Sequence, residues 1–169
     1  MPESINISFS YQEYGNLKEL ADDDRDLVLI ARKAAENAYA PYSLYRVGAA
    51  VRLDSGRIVH GSNVENAAFP SGICAERNVF ATIVSGYPCE KPDTVAITAF
   101  NDNSIIPDDV SPCGNCRQVM AEEEMRTGRG RRRKTEERRG RQIGRSAPSS
   151  ATATLLCIPQ LFPSSLCAL

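Results

Sequence analysis

Arg46-Val47-Gly48-Ala49-Ala50-Val51-Arg52-Leu53 alternates and is rich in residues that suit a pleated strand. Asp54-Ser55-Gly56 has turn chemistry, and Arg57 to Ser62 reads as a second strand, so the stretch predicts a hairpin. Upstream, Asp22-Asp23-Asp24 precedes Leu27, Val28, Ile30, Ala31, Ala34, Ala35 and Ala38 at helical spacing, with carboxylates where the macrodipole favours them. Pro41 stops that helix near Tyr39. Downstream, a helix is expected from about Cys74 to Ser85, closed by Gly86 and Pro88. Thr94 to Phe100 reads as a buried strand, a polar loop covers Asn101 to Val110, and Ser111-Pro112 opens a third helix to about Glu124. The order α, β, β, α, β, α predicts an α/β fold with helices on both faces of one mixed sheet.

Composition bounds the rest. The chain has 169 residues, 42% hydrophobic and 24% charged, the balance of one soluble globular domain. Its net charge of −1 hides an asymmetry: Arg126 to Arg145 holds ten basic and two acidic residues. No apolar run approaches the roughly 18–20 residues of a membrane helix, and the start lacks a secretory pattern. A reducing, cytoplasmic setting without membrane contact is expected. Residues 1–16 read as a flexible arm and 17–124 as the folded domain. Residues 125–169 form an Arg-rich, low-complexity tail, expected to be disordered or an aberrant reading frame. Arg126 to Arg145 lacks apolar periodicity, while Leu155 to Leu169 is mildly apolar and reads as one docked segment or as nothing ordered.

The chemistry rests on three cysteines and a glutamate. Cys113-Gly114-Asn115-Cys116 puts two thiols on one face of a helix's first turn, where backbone amides favour the thiolate. Alone, the pair fits half a zinc site or a redox couple. Cys74 also opens a helix, 39 residues earlier, and one helix, one strand and a loop between them suit a crossover. Glu76 lies about 200° around the helix from Cys74, a poor co-ligand but well placed beside an open fourth position. Arg77 and the helix dipoles would offset the negative charge of three thiolates. On spacing alone, Cys74 could instead pack as a small hydrophobe, with Glu76 and Arg77 as a solvated pair. His60 lacks a ligand pattern and reads as a strand residue, and Cys89, Cys157 and Cys167 read as ordinary thiols.

Cys74-Ala75-Glu76 followed by Pro112-Cys113-Gly114-Asn115-Cys116 resembles the zinc nucleoside deaminase signature in its three-cysteine form. Ala40-Pro41-Tyr42-Ser43, Val47-Gly48-Ala49-Ala50, Asn63-Val64-Glu65-Asn66-Ala67 and Ser111 to Met120 are similar to small homotetrameric cytidine deaminases. The resemblance covers about residues 25–123, in order and at the right spacing. It implies a three-layer α-β-α sandwich and one zinc per subunit on Cys74, Cys113 and Cys116. It also implies hydrolysis of cytidine and deoxycytidine to uridine and deoxyuridine in pyrimidine salvage. In that reaction a zinc-bound hydroxide is the nucleophile and Glu76 the proton shuttle. Asn63 and Glu65 match the ribose-reading pair, within a substrate-binding run that takes in Val64, Asn66 and Ala67. Tyr45 stands where the family usually has phenylalanine against the base.

After Glu123 the family pattern stops. The Arg-rich stretch replaces the expected strands and would leave the sheet incomplete at its C-terminal side. An authentic basic insertion and a shifted reading frame both account for it, and the second is favoured. Two other functions stay open: deamination of cytosine in RNA or single-stranded DNA held by Arg126 to Arg145, and an inactive zinc-stabilised binding module.

Overall fold

The computed structural model describes residue 12, residues 14–101 and 110–127, and a strand at 152–157. The helices are α1 (Asp22–Glu36), α2 (Ala75–Gly86) and α3 (Gly114–Arg126). The strands are β1 (Tyr45–Leu53), β2 (Ile58–Ser62), β3 (Pro92–Asn101) and β4 (Thr152–Cys157). Most of the expected N-terminal arm, and the Arg-rich run beyond Thr127, lie outside the described residues.

The hairpin forms as its sequence predicts. Arg52 pairs with Ile58, and the turn closes through the Gly56 amide on the Leu53 carbonyl at 2.9 Å. Gly56 sits at φ 86, a left-handed conformation that glycine adopts without a Cβ clash.

The strand order is β2-β1-β3-β4, and every bonded neighbour is antiparallel. The expected mixed sheet is therefore corrected to an antiparallel one among the described residues. The reason is the route of the crossover through α2. It carries the chain from β2 to β3 across β1, so these two parallel strands never become hydrogen-bonded neighbours.

Within the tail, where the sequence leaves a docked segment open from Leu155, residues 152–157 form β4, with Leu155 opposite Ala96 and Leu156 opposite Val95. That pairing occupies backbone groups that would otherwise leave β3 an open edge.

The period of two divides the sheet between two cores. Ala50 and Ala96 face α1, where Leu27, Val28 and Ala31 are buried against them. Ala49, Val51, Val95, Ile97 and Ala99 face the other way, onto Val79, Phe80 and Ile83 of α2 and Met120 of α3. The result is three layers, with α1 on one face and α2 and α3 on the other among the described residues. Truncating the fully buried Phe80 to Ala would cost about 3–5 kcal/mol.

Gly48 lets α1 approach closely. A Cβ there would stand 2.0 Å from the Ala31 carbonyl oxygen and 2.5 Å from the Ala35 nitrogen. Backbone atoms cannot yield that space, so a side chain would lever the helix off the sheet. Near the other end of α1, buried Asp24 meets Arg52 at 2.7 Å, and the same guanidinium nitrogen donates to Thr94 Oγ1 at 3.1 Å. Pairing keeps this buried charge from being an uncompensated cost.

Candidate metal centre and substrate pocket

Two helices on the same face of the sheet begin at cysteines. Cys74 is the N-cap of α2 and Cys113 the N-cap of α3, with Cys116 in the first turn of α3. The caps have extended backbone, so each chain enters its helix with the thiol beside unpaired amides. Cys113 Sγ accepts from the Cys116 amide at 3.4 Å. Sγ of Cys113 lies 3.9 Å from that of Cys74 and 3.4 Å from that of Cys116. All three sulfurs lie within 4.8 Å of one another.

Ionisation within this cluster is uneven. Burial raises the Cys113 thiol, but the Cys116 amide and the neighbouring thiols outweigh it, so Cys113 titrates below its ordinary value. Burial pushes the Cys74 thiol up, and nearby Cys113 and Glu76 add to that. Cys116 is raised most, by burial and then by the charge of Glu76. One thiol is eased toward its anion at the expense of the other two, and a cation between them would let all three ionise. Soft sulfur donors at this separation fit zinc.

Glu76 stands in the first turn of α2 and is only 5% exposed. Burial raises its carboxyl pKa, while its own amide, Cys116 and Arg77 pull partly the other way. A carboxyl held toward neutrality beside a metal-type cluster is suited to proton transfer. Arg77, the expected charge-balancing residue, donates to the Gly72 carbonyl at 3.3 Å. The sequence reading did not single out Arg117, which donates to the Pro112 carbonyl at 2.9 Å and buttresses the entry to α3. Its place one turn past Cys113 was the available signal.

The expected substrate run follows β2. Asn63 Oδ1 accepts from the Val47 amide at 2.7 Å, and its Nδ2 donates to the Tyr45 carbonyl at 3.0 Å. Val64 is bridged through its backbone to Ile73, with its side chain exposed. Glu65 turns to residues 42–43: its Oε2 accepts from the Tyr42 amide at 2.9 Å and the Ser43 amide at 3.3 Å. The Ser43 hydroxyl donates to Oε1. That hydroxyl and the Tyr42 amide hold the Glu65 carboxyl below the usual carboxylate range. Asn66 accepts from the Ala68 amide at 2.9 Å, and Ala67 is exposed. Tyr45 is half-buried against the α2–α3 core, and burial, then the charge of Glu76, raises its phenol. Tyr42 and Ser43 as partners of Glu65 were missed, because contacts between residues more than twenty apart leave no local pattern.

Other residues weighed in the sequence take no part in these contacts. His60 is an exposed residue of β2, and Cys89 is an exposed free thiol. Arg126 is clamped on buried Glu123 at 2.6 and 2.7 Å and donates to the Pro88 carbonyl at 2.9 Å. Among the described residues, no helix is long and apolar enough to cross a membrane.

Residues 21–127 match the family model described as the cytidine and deoxycytidylate deaminase zinc-binding region. A cytidine deaminase of Sporosarcina psychrophila is 41% identical over 103 residues, covering 59% of this chain and 69% of that protein. One from Halalkalibacterium halodurans is 41% identical over 100 residues, covering 59% and 71%. Among solved structures, cytidine deaminase from Burkholderia pseudomallei aligns with a TM-score of 0.58 at 30% identity, over 82% of this chain and 95% of that one. With thiols at both helix starts and a buried carboxyl beside them inside the matched region, the chain belongs to the zinc-binding cytidine and deoxycytidylate deaminase family.

Proposed function

We propose that the protein hydrolyses free cytidine and deoxycytidine to uridine and deoxyuridine with release of ammonia, as an enzyme of pyrimidine salvage. The observation that carries this reading is the buried Glu76 carboxyl beside Cys74, Cys113 and Cys116. The three thiolates would hold zinc, which when bound makes a coordinated water a competent nucleophile near neutral pH. Glu76 would accept one proton from the attacking water and pass it to the ring nitrogen next to the amine-bearing carbon. It would then take the second proton, from the hydroxyl now on that carbon, and pass it to the amine, which leaves as ammonia while the carbon–oxygen double bond forms. A raised pKa suits both halves of this shuttle, since the carboxyl must accept and release a proton at similar pH.

The remaining residues bind and orient. Tyr45 lies against the base, and Asn63 and Glu65 hold a sugar hydroxyl, with Val64, Asn66 and Ala67 forming the rest of that wall. Arg77 lowers the cost of negative charge at Glu76. The ionised Glu65 accepts hydrogen bonds and repels anions, which favours a nucleoside over its phosphorylated forms. It also disfavours polynucleotide; of the basic run Arg126 to Arg145 that would hold phosphates, Arg126 is engaged by Glu123 and the run beyond Thr127 lies outside the described residues.

We further propose a homotetramer in the cytoplasm. Tyr42, Leu44, Val64 and Phe69 are exposed around the sugar end of the pocket, with Phe69 90% accessible, as an assembly surface would require. Free thiols at Cys74, Cys113 and Cys116 suit a reducing compartment.

The test is competition between substrates. Zinc-loaded protein is given cytidine, cytidine monophosphate and a cytosine-containing oligonucleotide, and ultraviolet absorbance follows each. Preferred turnover of cytidine is expected. Turnover of the oligonucleotide alone would overturn the nucleoside reading, and a monomer by light scattering would overturn the tetramer.

A further inference from the structure

We propose that Ser43 is a positioning residue of the substrate pocket, holding the Glu65 carboxylate and the Tyr45 backbone as one unit. The proposal rests on the reading of Glu65 as a sugar-binding group.

A serine hydroxyl has one proton and two lone pairs, so it can donate and accept together. Here it does both. It donates to Glu65 Oε1 and accepts from the Tyr45 amide at 3.0 Å. The Tyr45 carbonyl is held separately by Asn63 Nδ2 at 3.0 Å. Both polar ends of the Tyr45 backbone are thus tied to side chains of the sugar-reading group, one directly and one through Ser43.

Glu65 receives three hydrogen bonds from the turn, two on Oε2 and one on Oε1. A carboxylate offers about four acceptor directions. The direction left over is on Oε1, beside the Ser43 hydroxyl, so Ser43 fixes where a substrate hydroxyl can be received. Rotating the carboxylate to any other position would break the bonds to the Tyr42 and Ser43 amides.

Leu44, between these two anchored residues, has φ 56, in the left-handed region that a branched side chain rarely adopts. Its amide is bonded to the Ala40 carbonyl at 3.1 Å. Such a conformation persists only where surrounding bonds over-determine it. The turn is held against its local preference by the bonds that aim Glu65 and Tyr45 at the pocket. Because Ser43 and Glu65 are at the surface, losing the hydroxyl exposes their partners to water and leaves the core untouched.

The test compares wild type, Ser43→Ala and Ser43→Thr in steady-state cytidine deamination and in amide hydrogen exchange. Ser43→Ala is expected to raise KM roughly tenfold, the scale of one hydrogen bond to a charged group, with kcat within about twofold. Ser43→Thr keeps the hydroxyl and should restore KM. Exchange at the Tyr45 amide should accelerate in the Ala variant and not in the Thr variant, while the Leu44 amide stays as it was. An unchanged KM in Ser43→Ala would overturn the proposal. So would a parallel fall in kcat and melting temperature without rescue by threonine, or an unfolded Ala variant, since each marks a structural role. Wild type that turns over no cytidine breaks the functional reading instead, a distinct result.

Discussion

At Cys74, Cys113 and Cys116 the chain gathers thiols of which only Cys113 is eased toward its anion, whereas at Ser43, Asn63 and Glu65 it gathers groups that satisfy one another. The thiol end is built from two helix starts brought together by a crossover. Burial there pushes Cys74, Cys116 and Glu76 toward their neutral forms. The other end, where we propose that the sugar binds, is a turn and a strand exit, near the surface, with donors and acceptors matched within the protein. One end calls for a cation from outside to become low in energy, and the other is complete on its own. Changes at the first should therefore be large and metal-linked, and changes at the second small and substrate-linked.

The largest effect is expected from Glu76→Gln. Removing the proposed proton shuttle should lower kcat by about 10²–10⁴-fold while metal analysis still finds zinc bound. Lost zinc would merge the two roles that the comparison keeps apart. Cys113→Ala should abolish stoichiometric zinc, and with it roughly 4 kcal/mol of stability at metal concentrations near a thousand times the dissociation constant. Thermal melts with and without zinc read this directly, and a variant that still gains stability from zinc would contradict the three-thiolate site.

Much of the thiol end was legible in the sequence because its signals are local. A C-x-x-C at a helix start, and a cysteine two residues before a glutamate at another, are short patterns on strongly periodic elements. The helices and the hairpin were equally readable from alternation and from Pro41, Gly56 and Gly86. The sugar end was not. Asn63 and Glu65 stood out only by resemblance, and their work on Tyr45, Val47, Tyr42 and Ser43 joins segments 16–23 residues apart. Leu44 gave no warning of its left-handed backbone, since glycine or asparagine is the usual marker. The strand β4 was hidden for a similar reason: its pairing with β3 crosses more than fifty residues, and it begins inside a small-residue stretch, Ser146 to Thr154, that reads as a linker. Antiparallel neighbours followed from strand order, which periodicity does not encode.

Smaller effects belong to the self-satisfied end. Glu65→Gln removes the charge and is expected to raise KM for cytidine about tenfold without changing bound zinc. Acid should do the same more gently. The Glu65 carboxyl is depressed by the Ser43 hydroxyl and then the Tyr42 amide. Its contribution is present above the unfolded carboxyl pKa and is lost as pH falls through the lowered folded value. Amide NMR shifts of Tyr42 and Ser43 should thus move only below the ordinary carboxylate range, and movement at neutral pH would contradict the assignment. The smallest effect is that of Leu44→Asn, which tolerates the left-handed backbone and should stabilise the protein by about 0.5 kcal/mol, read as a raised Tm.

The central claim is that the three cysteines hold the metal that Glu76 works beside. Metal-free protein titrated with zinc, with cytidine loss followed by ultraviolet absorbance at each addition, tests it most directly. Activity should rise in proportion to zinc and level off at one ion per chain. Full occupancy by one zinc without turnover, or turnover undiminished in the metal-free protein, would contradict it.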